Sequence, residues 1–208
     1  MDLIMVRHGE TEDNVKRKMS GWTDTPLSLN GIRQAHIVAQ RLKNLPIDRV
    51  LSSDLNRAVK TAEIIAQHQS KEIPHEKIMG FREMNFGNLE QLSMQEIEQR
   101  HNQEYKKIYT EDKYTFPEGE NLNTFHKRVI DTLIAYLHRN RKDENMLIVA
   151  HSGTIRCMLT HLVIGNIDGH WRFAVDHCGI TVLKNVLEYP YIEKLNDTCH
   201  FDYQEGQE

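Results

Sequence analysis

A guanidinium and an imidazole stand side by side at Arg7-His8, followed by Gly9, Glu10 and Thr11. The pair comes directly after the apolar run Leu3-Ile4-Met5-Val6. This places it on the loop leaving a first strand, at the carboxyl edge of a sheet, where α/β proteins bind ligands. A histidine beside an arginine suits an anion better than a metal. If the imidazole attacks phosphorus, the guanidinium can hold the phosphoryl oxygens by paired, charge-assisted bonds.

One such pair among 12 histidines is weak support, since most histidines sit on surfaces. Two further segments repeat the arrangement. Ser52-Ser53-Asp54-Leu55-Asn56-Arg57-Ala58 follows a second strand-like run, and Val149-Ala150-His151-Ser152-Gly153 ends a third. Each reads as apolar strand, then polar residues of catalytic type, then a helix-forming stretch, so three strand ends can converge on one crevice.

These segments need elements to hold them. The first strand is expected over 2–6, and an irregular loop over 7–27, which contains Gly21, Trp22 and Pro26. Ser28 can cap a helix running to about 44, with Leu29, Ile32, Ala35, Ala39 and Leu42 on one face. A short buried strand is expected at 49–51. Asp54 can cap the next helix, with Leu55, Ala58, Ala62 and Ile65 inward. The polar, aromatic-bearing stretch from about 80 to 120 reads as a helical insert over the crevice, through Met94, Ile97, Tyr105 and Ile108. A long helix over 121–139 turns Leu122, Phe125, Val129, Leu133 and Leu137 inward. The nearly all-apolar run 146–150 is the clearest central strand. A helix at 154–163 and late strands near 180–184 and 191–195 complete a three-layer α/β/α sandwich with a mostly parallel central sheet. The chain, 208 residues long, suits one domain.

Composition narrows the function classes. At 39% hydrophobic and 27% charged, the chain is of ordinary globular type. A net charge of −4 argues against a general nucleic-acid binder but not against an anionic substrate, for which local arginines decide. Apolar stretches are far shorter than a bilayer span, so no membrane partner is expected. Met1-Asp2 does not open a signal peptide. Cys157, Cys178 and Cys199 are odd in number and show no C-x-x-C spacing, which fits a reducing cytoplasm. Oligomeric state is open, a homodimer being one option.

Taken together, the motifs resemble those of the histidine phosphatase superfamily, in the branch that includes cofactor-dependent phosphoglycerate mutases. The matching residues are Arg7-His8-Gly9-Glu10-Thr11 with Asn14, and Pro26-Leu27-Ser28 with Gly31. Ser52-Ser53-Asp54-Leu55 follows with Arg57, Ala58, Thr61 and Ala62, then Arg82-Glu83 with Phe86-Gly87, and His151-Ser152-Gly153 with Arg156. Leu195-Asn196-Asp197-Thr198 with His200 continues the likeness. The resemblance implies that His8 is a phosphate-accepting nucleophile and that Arg7, Arg57 and His151 bind phosphoryl oxygens, with His151 donating in its protonated form. It implies Glu83 as general acid for the leaving oxygen. Asn14, Ser20, Gly21 and Ser152 are candidate phosphate-facing groups. Arg82 is either a substrate contact or a salt-bridged surface arginine, and Arg156 reads as a structural partner. No metal and no cofactor are expected, since no H-x-H or H-E-x-x-H spacing occurs.

Two departures stand out. A Trp-Glu-Gly-type segment common after Phe-Gly reads Leu89-Glu90-Gln91 here. Asp176-His177-Cys178-Gly179 stands where an asparagine-containing turn is common, and His177 reads as a surface turn histidine rather than a site residue. Eight acids, Glu90, Glu96, Glu98, Glu104, Glu111, Asp112, Glu118 and Glu120, suit the insert poorly to retaining a doubly phosphorylated intermediate. The expected activity is therefore hydrolysis of a small phosphorylated metabolite, of α-ribazole-phosphatase or broad-specificity type. The alternatives are a phosphoglycerate mutase, a non-catalytic phospho-ligand-binding module and a metalloenzyme. Tyr105, Tyr109, Tyr114 and Phe116 read as packing residues of the insert rather than as a base-stacking surface.

Overall fold

The computed structural model describes residues 1–111, 114–139 and 144–201. In chain order its regular elements are β1 (Leu3–Arg7), α1 (Glu12–Val15), α2 (Leu29–Leu42), β2 (Arg49–Ser53), α3 (Asn56–Gln67), β3 (His75–Ile78), α4 (Met94–Arg100), α5 (Asn102–Thr110), α6 (Leu122–Arg139), β4 (Met146–Ala150), α7 (Ser152–Leu159), β5 (Ile180–Lys184) and β6 (Tyr191–Asp197). The strands form one sheet in the order β3-β2-β4-β1-β5-β6. β3, β2, β4 and β1 run parallel, and β5 and β6 extend the sheet antiparallel.

The period-2 alternation of strand side chains divides the core into two layers. Leu3 and Met5 of β1, with Met146, Ile148 and Ala150 of β4, face Phe125, Val129 and Leu133 of α6 and Ile155 and Met158 of α7. Ile4, Val6, Leu147 and Val149 face the other way, onto Ala35, Val38 and Ala39 of α2 and Ala58, Ala62 and Ile65 of α3. The α/β/α sandwich follows from these two sets. β1 and β4 are buried along nearly their whole length, as strands covered on both faces must be.

Four local expectations need correction. Leu29 is 87% exposed, and Val38 takes its place on the buried stripe of α2. Asp54 does not cap α3: the N-cap is Leu55, which makes no side-chain cap bond. The Asp54 carboxylate instead takes two bonds from Arg82, at 2.8 and 2.6 Å. The helix expected at 154–163 begins two residues earlier and loosens into a π-helical turn over Thr160–Ile164. The loop after β1 contains the short helix α1, closed by a reciprocal capping box between Thr11 and Asn14.

The stretch 80–120 carries α4 and α5 after two turns of 3-10 type. Leu89, Ile97 and Phe116 are buried in the α6-side core, with Met94, Tyr105 and Ile108 packed against it. A bridge between Lys18 and Ser93 ties the stretch to the loop after β1. Asp112, one of the eight acids of the insert, lies outside the described residues.

Candidate active site

The adjacent carboxyl ends of β2, β4 and β1 bring the predicted groups together. The sheet pairing of β1 with β4 continues one residue further, where the His8 N–H donates to the Ala150 carbonyl at 2.9 Å. This sets His8 directly beside His151, with ring centroids 5.1 Å apart. His8 is 4% exposed and His151 1%. Two glycines let the loop lie this low. A Cβ on Gly9 would stand 2.4 Å from the Gly31 carbonyl oxygen, and one on Gly31 1.9 Å from that of Glu10. Thr61 of α3 adds a strut, accepting from the Gly9 N–H at 3.1 Å.

The hydrogen bonds assign the tautomers. His8 Nδ1 lies 2.7 Å from the Gly9 carbonyl, which can only accept, so Nδ1 carries the proton and the Nε2 lone pair is free. Burial holds the imidazole well below its usual pKa, and His151, Arg57 and Arg7 push in the same direction. His151 has the opposite tautomer. Its Nδ1 accepts from Arg57 Nε at 3.3 Å, which leaves the proton on Nε2, a buried atom with no partner among the described residues. Burial first, then Arg57 and Arg7, keeps this ring neutral as well. The expectation that His151 donates only when protonated is therefore corrected, because the neutral ring already presents an N–H.

Arg57 is 1% exposed, and its guanidinium is held by carbonyls: Thr23 at 2.8 Å, Gly21 at 2.6 Å and Ser20 at 3.4 Å. Ser20 and Gly21 thus supply acceptors to Arg57, and the Ser20 hydroxyl donates to Asp13 at 3.1 Å. Arg7 Nη1 donates to the Val175 carbonyl at 2.8 Å, while its buried Nε has no partner among the described residues. Burial lowers the Arg7 pKa to about 10, and the group remains a cation at neutral pH.

Glu83 reaches the same crevice from the turn after β3. Its Oε2 accepts from the Gly153 N–H at 2.9 Å, at the start of α7, and Oε1 from the Met84 N–H at 3.0 Å. Gly153 is required by this approach, since a Cβ there would sit 2.3 Å from Glu83 Oε1. Ser152 opens α7 beside it. Asn14 spends its Oδ1 on the Thr11 N–H and hydroxyl, at 3.0 and 2.9 Å. Arg82, paired with Asp54, lies over Trp22 at 4.9 Å. Arg156 donates to the Phe173 carbonyl at 2.9 Å, in the structural role expected of it.

Two residues emerge that sequence reasoning missed or misplaced. Glu90 collects the N–H groups of Trp22 (2.6 Å) and Phe86 (3.3 Å), and both the N–H and hydroxyl of Thr23. It thereby fixes the loop whose carbonyls hold Arg57. The only sequence signal was its place inside the altered Leu89-Glu90-Gln91 segment. Gln91 adopts φ +65, a left-handed conformation that favours glycine, and its amide bonds Asp13. His177 lies in a turn, as expected, but it is half-buried and reaches the site: its Nδ1 is 3.2 Å from the His8 carbonyl, and its ring 5.5 Å from the His8 ring.

A buried, neutral imidazole with a free Nε2, ringed by two guanidiniums, an imidazole N–H and a carboxylate, can attack phosphorus and neutralise the oxygens around it. Fold and site define an α/β protein with a two-histidine, two-arginine crevice at the carboxyl edge of its sheet. The family profile of the histidine phosphatase superfamily (branch 1) matches residues 3–198, and the chain belongs to that family. It is 31% identical to a probable phosphoglycerate mutase, GpmB, of Yersinia pestis (strain Pestoides F), over 97% of this chain and 95% of that one. The crystal structure of the α-ribazole phosphatase from Shigella flexneri superposes with a TM-score of 0.87 at 30% identity, covering 95% of this chain and 96% of that one. A mutant of the phosphoserine phosphatase from Entamoeba histolytica, in complex with phosphoserine, gives 0.79 at 31% identity, covering 96% and 98%.

Proposed function

We propose that this chain hydrolyses small-molecule phosphomonoesters through a phosphohistidine formed on His8. The observation that carries the reading is the pair of opposed tautomers. His8 has Nδ1–H anchored on the Gly9 carbonyl, and His151 has its Nε2–H buried and, among the described residues, unspent. One ring offers a lone pair and the other a proton donor, 5.1 Å apart between centroids.

In the first step the Nε2 lone pair forms the N–P bond as the ester P–O bond breaks. Arg7, Arg57 and His151 donate to the three non-bridging oxygens, where charge spreads in the transition state. Glu83, in its acid form, gives its proton to the departing oxygen. In the second step the resulting carboxylate takes a proton from water as the water oxygen attacks phosphorus and His8 departs. The chain's own donors supply the neutralisation, so turnover is expected to survive EDTA.

Hydrolysis is favoured over phosphoryl return by the charge pairing of the insert. Arg82, Arg100 and Lys107 are each matched with an acid, Asp54, Glu96 and Glu104. Such pairs leave little positive field to retain a bisphosphate. The name of the Yersinia relative favours the second reading, a phosphoglycerate mutase. Among the insert aromatics, Tyr114 bonds Glu104 and Phe116 is buried, while Tyr109 is 67% exposed. Of the finer assignments, α-ribazole phosphatase and broad-specificity phosphatase, the first takes its support from the Shigella structure.

A metal-free assay on a phosphomonoester panel tests the reading. The panel holds α-ribazole phosphate, nucleotides, sugar phosphates, phosphoserine and 3-phosphoglycerate with and without its bisphosphate. Phosphate release from at least one ester, abolished in His8→Ala, is expected. Phosphoglycerate interconversion without net release would establish the mutase instead.

A further inference from the structure

The segment between α7 and β5 runs along the carboxyl end of β1. The Val175 carbonyl takes Arg7 Nη1, and the Cys178 N–H donates to the Arg7 carbonyl at 3.0 Å. These bonds deliver the intervening His177 to the side of His8, its ring 5.5 Å from that of His8. The orientation of the ring is set by one contact. His177 Nδ1 lies 3.2 Å from the His8 carbonyl oxygen, which can only accept, so the proton is on Nδ1. Burial, then the charge of Arg7, lowers the His177 pKa to about 4, so the ring is neutral at physiological pH. Its Nε2 therefore carries a lone pair, and among the described residues no hydrogen bond engages it.

This makes His177 the odd member of the cluster. Arg7, Arg57 and His151 Nε2 are donors, and the dianionic phosphoryl group uses donors. A lone pair turned toward phosphoryl oxygens is repelled by them. In the free enzyme water satisfies it, and in the complex a proton carried by a bound group that displaces that water. The reacting group is anchored on His8, so that proton belongs to the substrate beyond its ester oxygen. His177 is half-buried, so a substrate O–H or N–H that takes the place of water on Nε2 gains a preference over an analogue lacking it.

We propose that His177 is a specificity-determining residue that accepts a hydrogen bond from the leaving group, selecting phosphomonoesters with a hydroxyl or ammonium close to the ester oxygen. The proposal rests on the hydrolytic reading of the site given above. It does not depend on which metabolite is the natural substrate.

The test compares matched esters: glycerol 1-phosphate against propyl phosphate, and phosphoethanolamine against ethyl phosphate, with p-nitrophenyl phosphate as reference. The full-length enzyme should favour the donor-bearing member of at least one pair by roughly 10-fold in kcat/KM. His177→Phe keeps a ring without nitrogen and should bring that ratio close to 1. His177→Asn retains an acceptor and should keep most of it. Equal wild-type turnover within both pairs overturns the proposal, and does so without any variant. A His177→Phe enzyme that loses activity equally on both members also overturns it, since His177 would then be a protonated phosphate donor. Absence of phosphate release from every ester, p-nitrophenyl phosphate included, would overturn the hydrolytic reading itself, and this proposal with it.

Discussion

Gly153→Ala separates catalysis from stability. The new Cβ would stand 2.3 Å from Glu83 Oε1, 3.1 Å from its Cδ and 3.0 Å from Phe125 Cε1. An ordinary contact needs at least about 3.4 Å, so the carboxylate must withdraw by roughly 1 Å. That movement breaks its bond to the Gly153 N–H, now 2.9 Å. Glu83 is the end of a flexible side chain and can move cheaply, whereas buried Phe125 must give by a few tenths of an ångström. Against this, alanine favours the first turn of α7 by up to about 1 kcal/mol over glycine. The net change in stability should stay within about 1 kcal/mol, or roughly 2–4 °C in Tm for a chain of this size. Catalysis has no such compensation. A misplacement of about 1 Å can cost on the order of 100-fold. kcat on an alkyl phosphate should fall by roughly that factor. The loss on p-nitrophenyl phosphate should be smaller, because its leaving group needs little protonation. The assay is steady-state phosphate release on both esters, beside a thermal melt. Alkyl-ester turnover within a few-fold of wild type would refute the placement of Glu83 as the proton donor.

Stability should depend on pH through His8 and His151, both held neutral well below the usual histidine pKa by burial and by Arg7 and Arg57. The folded state binds fewer protons than the unfolded one below about pH 6.5, so the contribution is complete above that value and is lost as pH falls. Each ring should add about 1.4 kcal/mol per pH unit within that window. Urea midpoints at pH 7.5 and 5.5 should show the loss, and replacing both rings with glutamine should flatten it; an unchanged slope would place it elsewhere. Arg57→Lys cannot reach His151, Thr23 and Gly21 together, so kcat/KM should fall at least about 100-fold. A few-fold effect would remove Arg57 from the phosphate site. Glu90→Gln keeps one acceptor oxygen and turns an amide donor toward the donors of Trp22 or Thr23. kcat/KM should drop roughly ten-fold as the loop holding Arg57 loosens, and Tm should fall by several degrees; unchanged values of both would show that the loop holds without Glu90.

The parts of the fold that read directly from sequence are those whose apolar pattern is continuous. Val6 and Ala150 end runs buried on both faces, and Arg7-His8 and His151 follow them immediately. That adjacency makes the two-histidine crevice legible in the amino-acid order itself. β3 was not foreseen, because His75-Glu76-Lys77-Ile78 is an edge strand in which Ile78 alone is fully buried. Asp54 sits one residue before the N-cap, where its side chain finds a bidentate arginine a better partner than backbone N–H groups. Glu90 and His177 act across 67–68 and 169 residues of sequence, and no local pattern encodes such contacts. Gln91 shows the converse. The missing glycine of the family pattern was visible, but its left-handed backbone and its bond to Asp13 were not.

The central claim is that phosphorus passes through the Nε2 of His8. Rapid acid-free quenching of the enzyme with a ³²P-labelled phosphomonoester, followed by alkaline peptide mapping, addresses it most directly. The expected result is label that survives base, is released by acid, maps to the peptide containing His8 and is absent from His8→Ala. Undiminished turnover with no labelled enzyme at any quench time, and unimpaired turnover in His8→Ala, would contradict the mechanism.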